Sequence, residues 1–326
     1  MTTAKEVFPG VLSIELPLPF ELRSVNVFLV RLDAGINRGY LLIDCGMDTP
    51  ESFAALEQGM ASAGLEWTDI RQIVLTHMHP DHMGLSARLI ELTGAPISMH
   101  HVEADHLRVV RSPELRAAWI NRAFHESGVP QSMQDVMYGH YLSIRHNFHA
   151  LSPQALFEGF EEIPTGIGPL QIIWAPGHSP GHVCLYSERH RLLFAGDQIL
   201  PRITPNISWH PDLDTLSDYL DSLQALKALD VDLILPCHGQ PFTGHVSWID
   251  KTTAHHHERC HEMLALLDHP SNVHAMVPQL WRKRLSAINH QFALLEVMAH
   301  LEFLRRRNQV RCDAVDGGVV EWSRKA

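Results

Sequence analysis

One short segment, Thr76-His77-Met78-His79-Pro80-Asp81-His82-Met83-Gly84, concentrates the groups in this chain best suited to hold a metal ion. It follows the apolar run Ile73 to Leu75. Residues two apart on an extended backbone point the same way, so His77 and His79 can converge on one point. The turn that follows carries Asp81 and His82 toward a second point nearby. Neutral imidazoles with a carboxylate suit Zn²⁺ or Fe²⁺, less well Mn²⁺, and do not suit Ca²⁺ or Mg²⁺. With 24 histidines in the chain, an H-x-H triplet arises easily by chance, and Asp81 and His82 are what set this one apart. Three more segments follow apolar strands: Pro176-Gly177-His178-Ser179-Pro180-Gly181-His182, Ala195-Gly196-Asp197 and Pro236-Cys237-His238-Gly239. Loops at strand ends converge on functional sites in layered α/β folds, so these groups can meet the first cluster in space.

The elements that must position them read as alternating strands and helices. Strands are expected at 11–16, 25–32, 40–43 and 70–76, with helices at about 50–63 and 85–93, which is the grammar of an α/β layer. Residues 103–150 are rich in helix formers and read as a helical insertion. Strands return at 170–175, 183–187, 192–195 and 233–235, with a helix at about 213–229. After about residue 254 helices dominate, ending in a helix at 291–307 and two strands, 310–313 and 319–322, around Asp316-Gly317-Gly318. This gives a front domain, 1–254, and a C-terminal winged-helix-like domain, 255–326.

Composition narrows the function. In 326 residues, 45% are hydrophobic and 19% charged, the balance of a globular protein. The net charge of -11 repels polyanions as a bulk property. Residues 256–326 carry 10 basic and 8 acidic side chains and residues 1–255 carry 16 and 29, so the acidity sits in front. Five scattered cysteines without a C-x-x-C pair point to reduced thiols in a cytoplasmic compartment. Neither a signal peptide nor an apolar run long enough to span a membrane is visible.

The chain resembles the metallo-β-lactamase fold superfamily over roughly residues 6 to 250. The family's H-x-H-x-D-H motif stands as His77, His79, Asp81 and His82, its later histidine as His178, its bridging aspartate as Asp197 and its final histidine as His238. The set is similar to that of hydroxyacylglutathione hydrolase (glyoxalase II) and related dinuclear hydrolases. The resemblance implies an αββα sandwich of two mixed sheets and two divalent metal ions, zinc first, iron or manganese otherwise. It assigns His77, His79 and His178 to the first ion, Asp81, His82 and His238 to the second, and Asp197 to both. Such a pair lowers the pKa of a shared water and polarises the substrate oxygen, with Asp81 orienting the resulting hydroxide as catalytic residue. The tail resembles that of β-lactamase-like endoribonucleases.

Other residues carry weaker readings. Asp44 either steadies the metal loop by a hydrogen bond or is a turn carboxylate, and His182 either supports a ligand from behind or fills a packed niche. Cys237, beside a ligand, should point away and be structural. His100, His101, His140, His146 and His149 act only if they touch substrate; Met133 and Met137 read as core, and Arg305-Arg306-Arg307 as a solvated helix end.

Three functions compete. The first is a hydrolase of a thioester, ester or lactone of a small acyl compound, with a pocket roofed by the insertion and Trp119, Phe124 or Tyr141 facing the metals. The second is a phosphodiesterase or endoribonuclease on single-stranded RNA, which wants basic side chains around the scissile group. The third is a redox or nitric-oxide sensor whose tail is a partner or homodimer module. The helix at 291–307 mixes Glu296 and Glu302 with arginines among Leu, Phe and Met, so it is expected to pack on protein rather than read DNA.

Overall fold

The structure, a computed structural model, describes residues 2–32, 39–144 and 151–325. A seven-stranded sheet takes its strands in chain order: β1 (Lys5–Phe8), β2 (Val11–Pro17), β3 (Ser24–Arg31), β4 (Tyr40–Ile43), β5 (Ile70–Val74), β6 (Ile97–His100) and β7 (Ala155–Phe157). Pairing is antiparallel up to β4 and parallel beyond it. Parallel neighbours need crossovers. These are α1 (Pro50–Ser62), then α2 (Pro80–Met83) and α3 (Ser86–Thr93), then the expected insertion as α4 (His101–Arg111), α5 (Pro113–Glu126) and α6 (Gln131–Ile144).

The second sheet holds β8 (Glu162–Ile163), β9 (Leu170–Trp174), β10 (Val183–Ser187), β11 (Leu192–Gly196) and β12 (Leu233–Pro236), with α7 (Thr215–Lys227) crossing between the parallel β11 and β12. Side-chain alternation along its strands builds the layers. Val183, Leu185, Leu192 and Phe194 face the first sheet, where Phe28 and Phe194 meet edge to face at 5.4 Å. Cys184, Tyr186, Leu193 and Ala195 face the other way, into a second core with Leu216, Tyr219 and Leu223 of α7. The sandwich of two mixed sheets between helices is as the resemblance implies.

The C-terminal part comprises α8 (His245–Leu266), α9 (Val273–Leu280), α10 (Ala287–Arg306) and the hairpin β13 (Val310–Ala314) and β14 (Val320–Arg324). Its helices begin where capping side chains stand: Asn272 caps α9 and Ser286 caps α10 through the third amide beyond each. α8 runs without a break through the expected boundary at 254–255. Ala293, Leu294 and residues 297–304 of α10 are all buried, and they share one core with the outer face of the second sheet and with Phe124 of the insertion. α10 therefore packs on protein, as its composition suggested.

The strands at 40–43 and 183–187 match their expected bounds, whereas β1, β6, β7 and β8 were not foreseen. These are four residues or fewer, and β6 is buried throughout, so it has no alternation to read. Met137 is core and Met133 packs against it. Arg305 and Arg306 bond Glu302, while Arg307 reaches Asp214 and Ser217 at the start of α7, so the third arginine ties two elements together rather than ending in solvent. His146 and His149, and the side chains of His140 and Tyr141, lie outside the described residues. No helix among the described residues is long and apolar enough to cross a membrane.

Leu294 is fully buried in the shared core. Leu294→Ala should lower the unfolding free energy by about 2–5 kcal/mol, read as a fall in the urea midpoint; an unchanged midpoint would mean that α10 is not packed as described.

Candidate metal centre

Parallel pairing places the ends of β4 and β5 side by side, and the second sheet brings the ends of β9, β11 and β12 against them. All seven residues singled out in the sequence meet there. His77, His82, Asp197 and His238 are buried, and His79, Asp81 and His178 are partly exposed.

They form two groups. His79 Nδ1 lies 2.9 Å from His77 Nε2 and 3.0 Å from His178 Nε2. The far nitrogens fix the tautomers. His178 Nδ1 faces the Asn206 carbonyl at 3.0 Å and must donate to it. The Thr76 hydroxyl donates to Asp44 at 2.8 Å, so it accepts from His77 Nδ1 at 3.0 Å. His77 Nε2 and His178 Nε2 are therefore both lone pairs, and His79 Nδ1 holds one proton at most. At least one of these close contacts sets lone pair against lone pair, which a cation about 2.0–2.1 Å from each nitrogen would relieve. Burial, then neighbouring imidazoles, lower His77 well below its ordinary pKa and His79 to about 3, and burial lowers His178. All three are neutral and ready to ligate at pH 7.

In the second group, His238 Nε2 lies 3.4 Å from both Asp81 Oδ2 and Asp197 Oδ1, and His82 Nε2 lies 3.7 and 3.6 Å from the same atoms. The other oxygen of Asp197, Oδ2, is 3.5 Å from His178 Nε2, so one carboxylate faces both groups. His82 Nε2, His238 Nε2 and Asp197 Oδ1 are buried without a hydrogen-bond partner. Buried polar atoms seldom stay unpaired, and three orphans aimed at one point are what a cation site needs. The far nitrogens are again fixed: His82 Nδ1 donates to Asp44 Oδ2 at 2.8 Å and His238 Nδ1 to the Ser24 carbonyl at 2.7 Å. Burial alone would lower these two histidines, but Asp197 and Asp81 outweigh it, raising His82 well above its ordinary value and His238 to about 10. Burial would likewise raise the carboxyls, yet the imidazoles hold Asp81 down to about 2 and Asp197 well below the usual range. The residues present could hold metal ions: His77, His79 and His178 offer nitrogen, groups with Asp81 or Asp197 add oxygen, and a further group of Asp44, His82 and Cys237 includes sulfur.

Asp44 is the support beneath both groups. Its carboxylate accepts from the Thr76 amide (2.7 Å) and hydroxyl, from His82 Nδ1, and from the Cys237 thiol at 3.3 Å. The steadying role is thus the one Asp44 takes. Cys237 does not stand apart as expected: its thiol touches the carboxylate that orients His82 and lies in one group with Asp44 and His82 whose ligand atoms are within 4.8 Å of one another, and burial first, with Asp44 adding to it, holds the thiol protonated. His182 Nε2 accepts the Asp197 amide at 3.1 Å, and a Cβ on Gly196 would come within 2.5 Å of that nitrogen. His182 therefore supports the main chain that carries Asp197. His100 stacks on Trp174 and caps α4, and His101 lies 3.4 Å from Glu158, both away from the cluster.

Two supports went unread in the sequence. Glu103 is fully buried and accepts from the Met78 amide (2.7 Å), the Ser179 hydroxyl (2.5 Å) and the Gly181 amide (2.7 Å), joining the His77–His82 loop to the His178 loop. An acid in the first turn of a helix looks like a partner for the helix dipole, so nothing marked it. Asn26 of β3 donates to the Pro236 (3.1 Å) and Gly239 (2.7 Å) carbonyls and so grips the His238 loop.

The cluster opens into a cavity of about 820 Å³, reached by His79, Asp81 and His178. Val110, Trp119, Ile120 and Phe124 of the insertion cover it, Trp209 and His210 form one side, and Ile288, Phe292 and Leu295 of α10 another. Trp119 and Phe124 thus line the same cavity as the candidate ligands. Among the described residues no Lys or Arg lines it.

Sequence comparison agrees with this geometry. Residues 21–238 match the metallo-beta-lactamase superfamily and residues 260–325 match a metallo-beta-lactamase-like C-terminal domain. The chain belongs to the metallo-beta-lactamase superfamily and is a metal-dependent hydrolase by kinship. It is 28% identical to a probable metallo-hydrolase of Bacillus subtilis (strain 168), over 79% of this chain and 80% of that one. It is also 28% identical to an acyl-coenzyme A thioesterase of Gallus gallus, over 67% and 73%. A metallo-beta-lactamase family protein from Thermus thermophilus superposes with a TM-score of 0.85 at 30% identity, covering 98% of this chain and all of that one.

Two measurements follow. Cation loading of the metal-free protein at pH 7.5 should release about two protons that the cation displaces from His82 and His238, and up to about one more from water acidified by the cations. Acid should weaken loading, and an indicator reading no release would show that His82 and His238 are not protonated. Asp44→Asn puts an amide N–H₂ among hydrogen-bond donors, and metal affinity should fall by about 10–100-fold; unchanged affinity would remove Asp44 from its supporting role.

Proposed function

We propose that the protein is a dinuclear hydrolase of acyl thioesters whose acyl group is uncharged and apolar. In this reading His77, His79 and His178 hold one divalent cation, Asp81, His82 and His238 hold the other, and Asp197 serves both. The donor set, without sulfur, suits zinc first and iron or manganese next. Bound there, the cations supply Lewis acidity and make water acidic enough to lose a proton near neutral pH.

The protein's own groups do the rest. Asp81, ionised and reaching the cavity, can only accept a hydrogen bond, so it orients the attacking water and does not act as an acid. His82 and His238 are held in one tautomer by Asp44 and Ser24, which keeps their Nε2 atoms aimed inward. Water, having lost one proton to solvent, forms a bond from its oxygen to the thioester carbonyl carbon; the carbon–sulfur bond breaks with its electron pair on sulfur, and the remaining water proton leaves as the acid ionises, to solvent or to the thiolate. The departing thiolate has a pKa of about 8.5, so it leaves without the strong general acid that an alkoxide or amine would need.

The observation that carries the reading is the cavity that the candidate ligands reach, walled by Trp119, Ile120, Phe124 and Leu295 and without a lysine or arginine among the described residues. A phosphodiester or an acyl carboxylate would find no lysine or arginine on those walls to pair its charge beyond the cations themselves. The kinship with an acyl-coenzyme A thioesterase supports the thioester bond as the one broken.

The test is a panel assay on metal-loaded protein. Decanoyl and benzoyl thioesters should be cleaved at a kcat/KM at least about tenfold above the succinyl thioester, and bis-p-nitrophenyl phosphate should be turned over far more slowly. His79→Ala should reduce the thioester rate by at least about 100-fold. Trp119→Ala should raise KM for the benzoyl substrate and leave metal content unchanged. Preference for the phosphodiester, or for the succinyl group, would refute the assignment.

A further inference from the structure

His178 differs from the other candidate ligands in what stands behind it. His77 rests on Thr76, His82 on Asp44 and His238 on the Ser24 carbonyl, all within the first sheet and its loops. His178 rests on the Asn206 carbonyl, in the stretch between β11 and α7 that forms neither helix nor strand. A backbone carbonyl in irregular chain holds a fixed position only if other bonds pin the segment.

Those bonds run to the C-terminal helix. The Asn206 side-chain amide donates to the Phe292 carbonyl at 3.3 Å and to Glu296 Oε2 at 3.2 Å. Its own Oδ1 accepts from the Ser208 hydroxyl at 2.7 Å, and the Trp209 amide donates to the Leu295 carbonyl at 3.1 Å. Ile207, between them, is fully buried in the core that α10 shares. Glu296 lies in a largely apolar stretch of α10, and burial raises its pKa to about 7, with Arg259 and the Asn206 bond opposing. A carboxyl kept in such surroundings asks for a reason, and its bond to Asn206 supplies one.

We infer that Asn206 and Glu296 are positioning residues for the first metal group: through them α10 locks the His178 imidazole with Nδ1 protonated and Nε2 facing His77 and His79. The C-terminal helices thereby belong to the metal centre, although none of their side chains is a candidate ligand. The inference rests on the proposed metal binding for its affinity consequence, whereas the locked tautomer stands without it.

The full-length protein tests both. Asn206→Leu removes the two bonds to α10, Glu296→Leu removes one, and Glu296→Gln keeps an oxygen that can accept from Asn206. Arg306→Ala, which breaks a bond to Glu302 at the far end of the same helix, controls for general loosening of α10. In chelator competition with zinc, Asn206→Leu should weaken the tighter of the steps involving His178 by about tenfold or more. Glu296→Leu should weaken it less, and Glu296→Gln and Arg306→Ala should stay within about threefold of wild type. In the ¹⁵N imidazole spectrum of metal-free protein, His178 should be a pure Nδ1–H tautomer in wild type and Glu296→Gln, and a mixture in Asn206→Leu. Wild-type affinity in both leucine variants, equal weakening in Arg306→Ala, or an unchanged tautomer in Asn206→Leu would overturn the inference. Zinc failing to bind wild type at all would overturn the metal reading instead, and the tautomer would then decide the linkage alone. Glu296→Leu carries the test if Asn206→Leu does not fold.

Discussion

A single buried carboxylate, that of Asp44, sets the terms for the rest of the centre. Removed from water, it would be strongly unfavourable without partners, and it finds them in Thr76, His82 and Cys237. These donors come from the ends of β5 and β12 and the loop after β5, while Asp44 itself ends β4, so satisfying one anion draws separated parts of the chain together. Its backbone sits at φ +60, a region aspartate tolerates better than most residues. That turn directs the carboxylate back under the Thr76–His82 loop instead of out to solvent. The positions of His77 and His82 are then consequences of one charge being paired.

The two candidate metal groups sit back to back on this support and differ in protonation. The three imidazoles of the first group become neutral because burial, joined at His77 and His79 by neighbouring imidazoles, outweighs the pull of Asp197 on His178. Two imidazoles beside Asp81 and Asp197 keep their protons because the carboxylates outweigh burial. The first group thus offers lone pairs at once, and the second exchanges protons for a cation. Asp197 faces both, and His182 holds its backbone amide.

How much of this was legible in the sequence depends on range. His77, His79, Asp81 and His82 could be read because local spacing and one strand end fix their directions. His178, Asp197 and His238 could be read as strand-end residues, and the resemblance to a known ligand set joined them. Glu103 and Asn206 could not. Glu103 joins two loops, one of them 76 positions away, and Asn206 holds His178 through a main-chain carbonyl, which has no residue signature. Asn26 is an ordinary polar residue within a strand until β12 is laid beside it. Strands as short as β7 and β8 lack the alternation that would announce them. The front and C-terminal parts read as separate because composition changes near residue 254. The core they share is built from side chains whose contact is tertiary.

That shared core bears on selectivity. The candidate ligands come from loops of the sandwich, but the cavity beside them is walled by α5 of the insertion and α10 of the C-terminal part. Neither helix supplies a candidate ligand, so residues such as Trp119, Phe292 and Leu295 can change the space offered to an acyl group while the metal groups stay as they are. Charge acts in the same direction at longer range. The chain carries -11 overall, and its excess of acids lies in residues 1–255, which hold every candidate ligand. An anionic acyl group would meet repulsion on approach and no lysine or arginine among the described residues that line the cavity. An apolar acyl group loses nothing to that field and gains from leaving water. On the proposed function, the same two features would favour a hydrocarbon or aromatic acyl group over an anionic one.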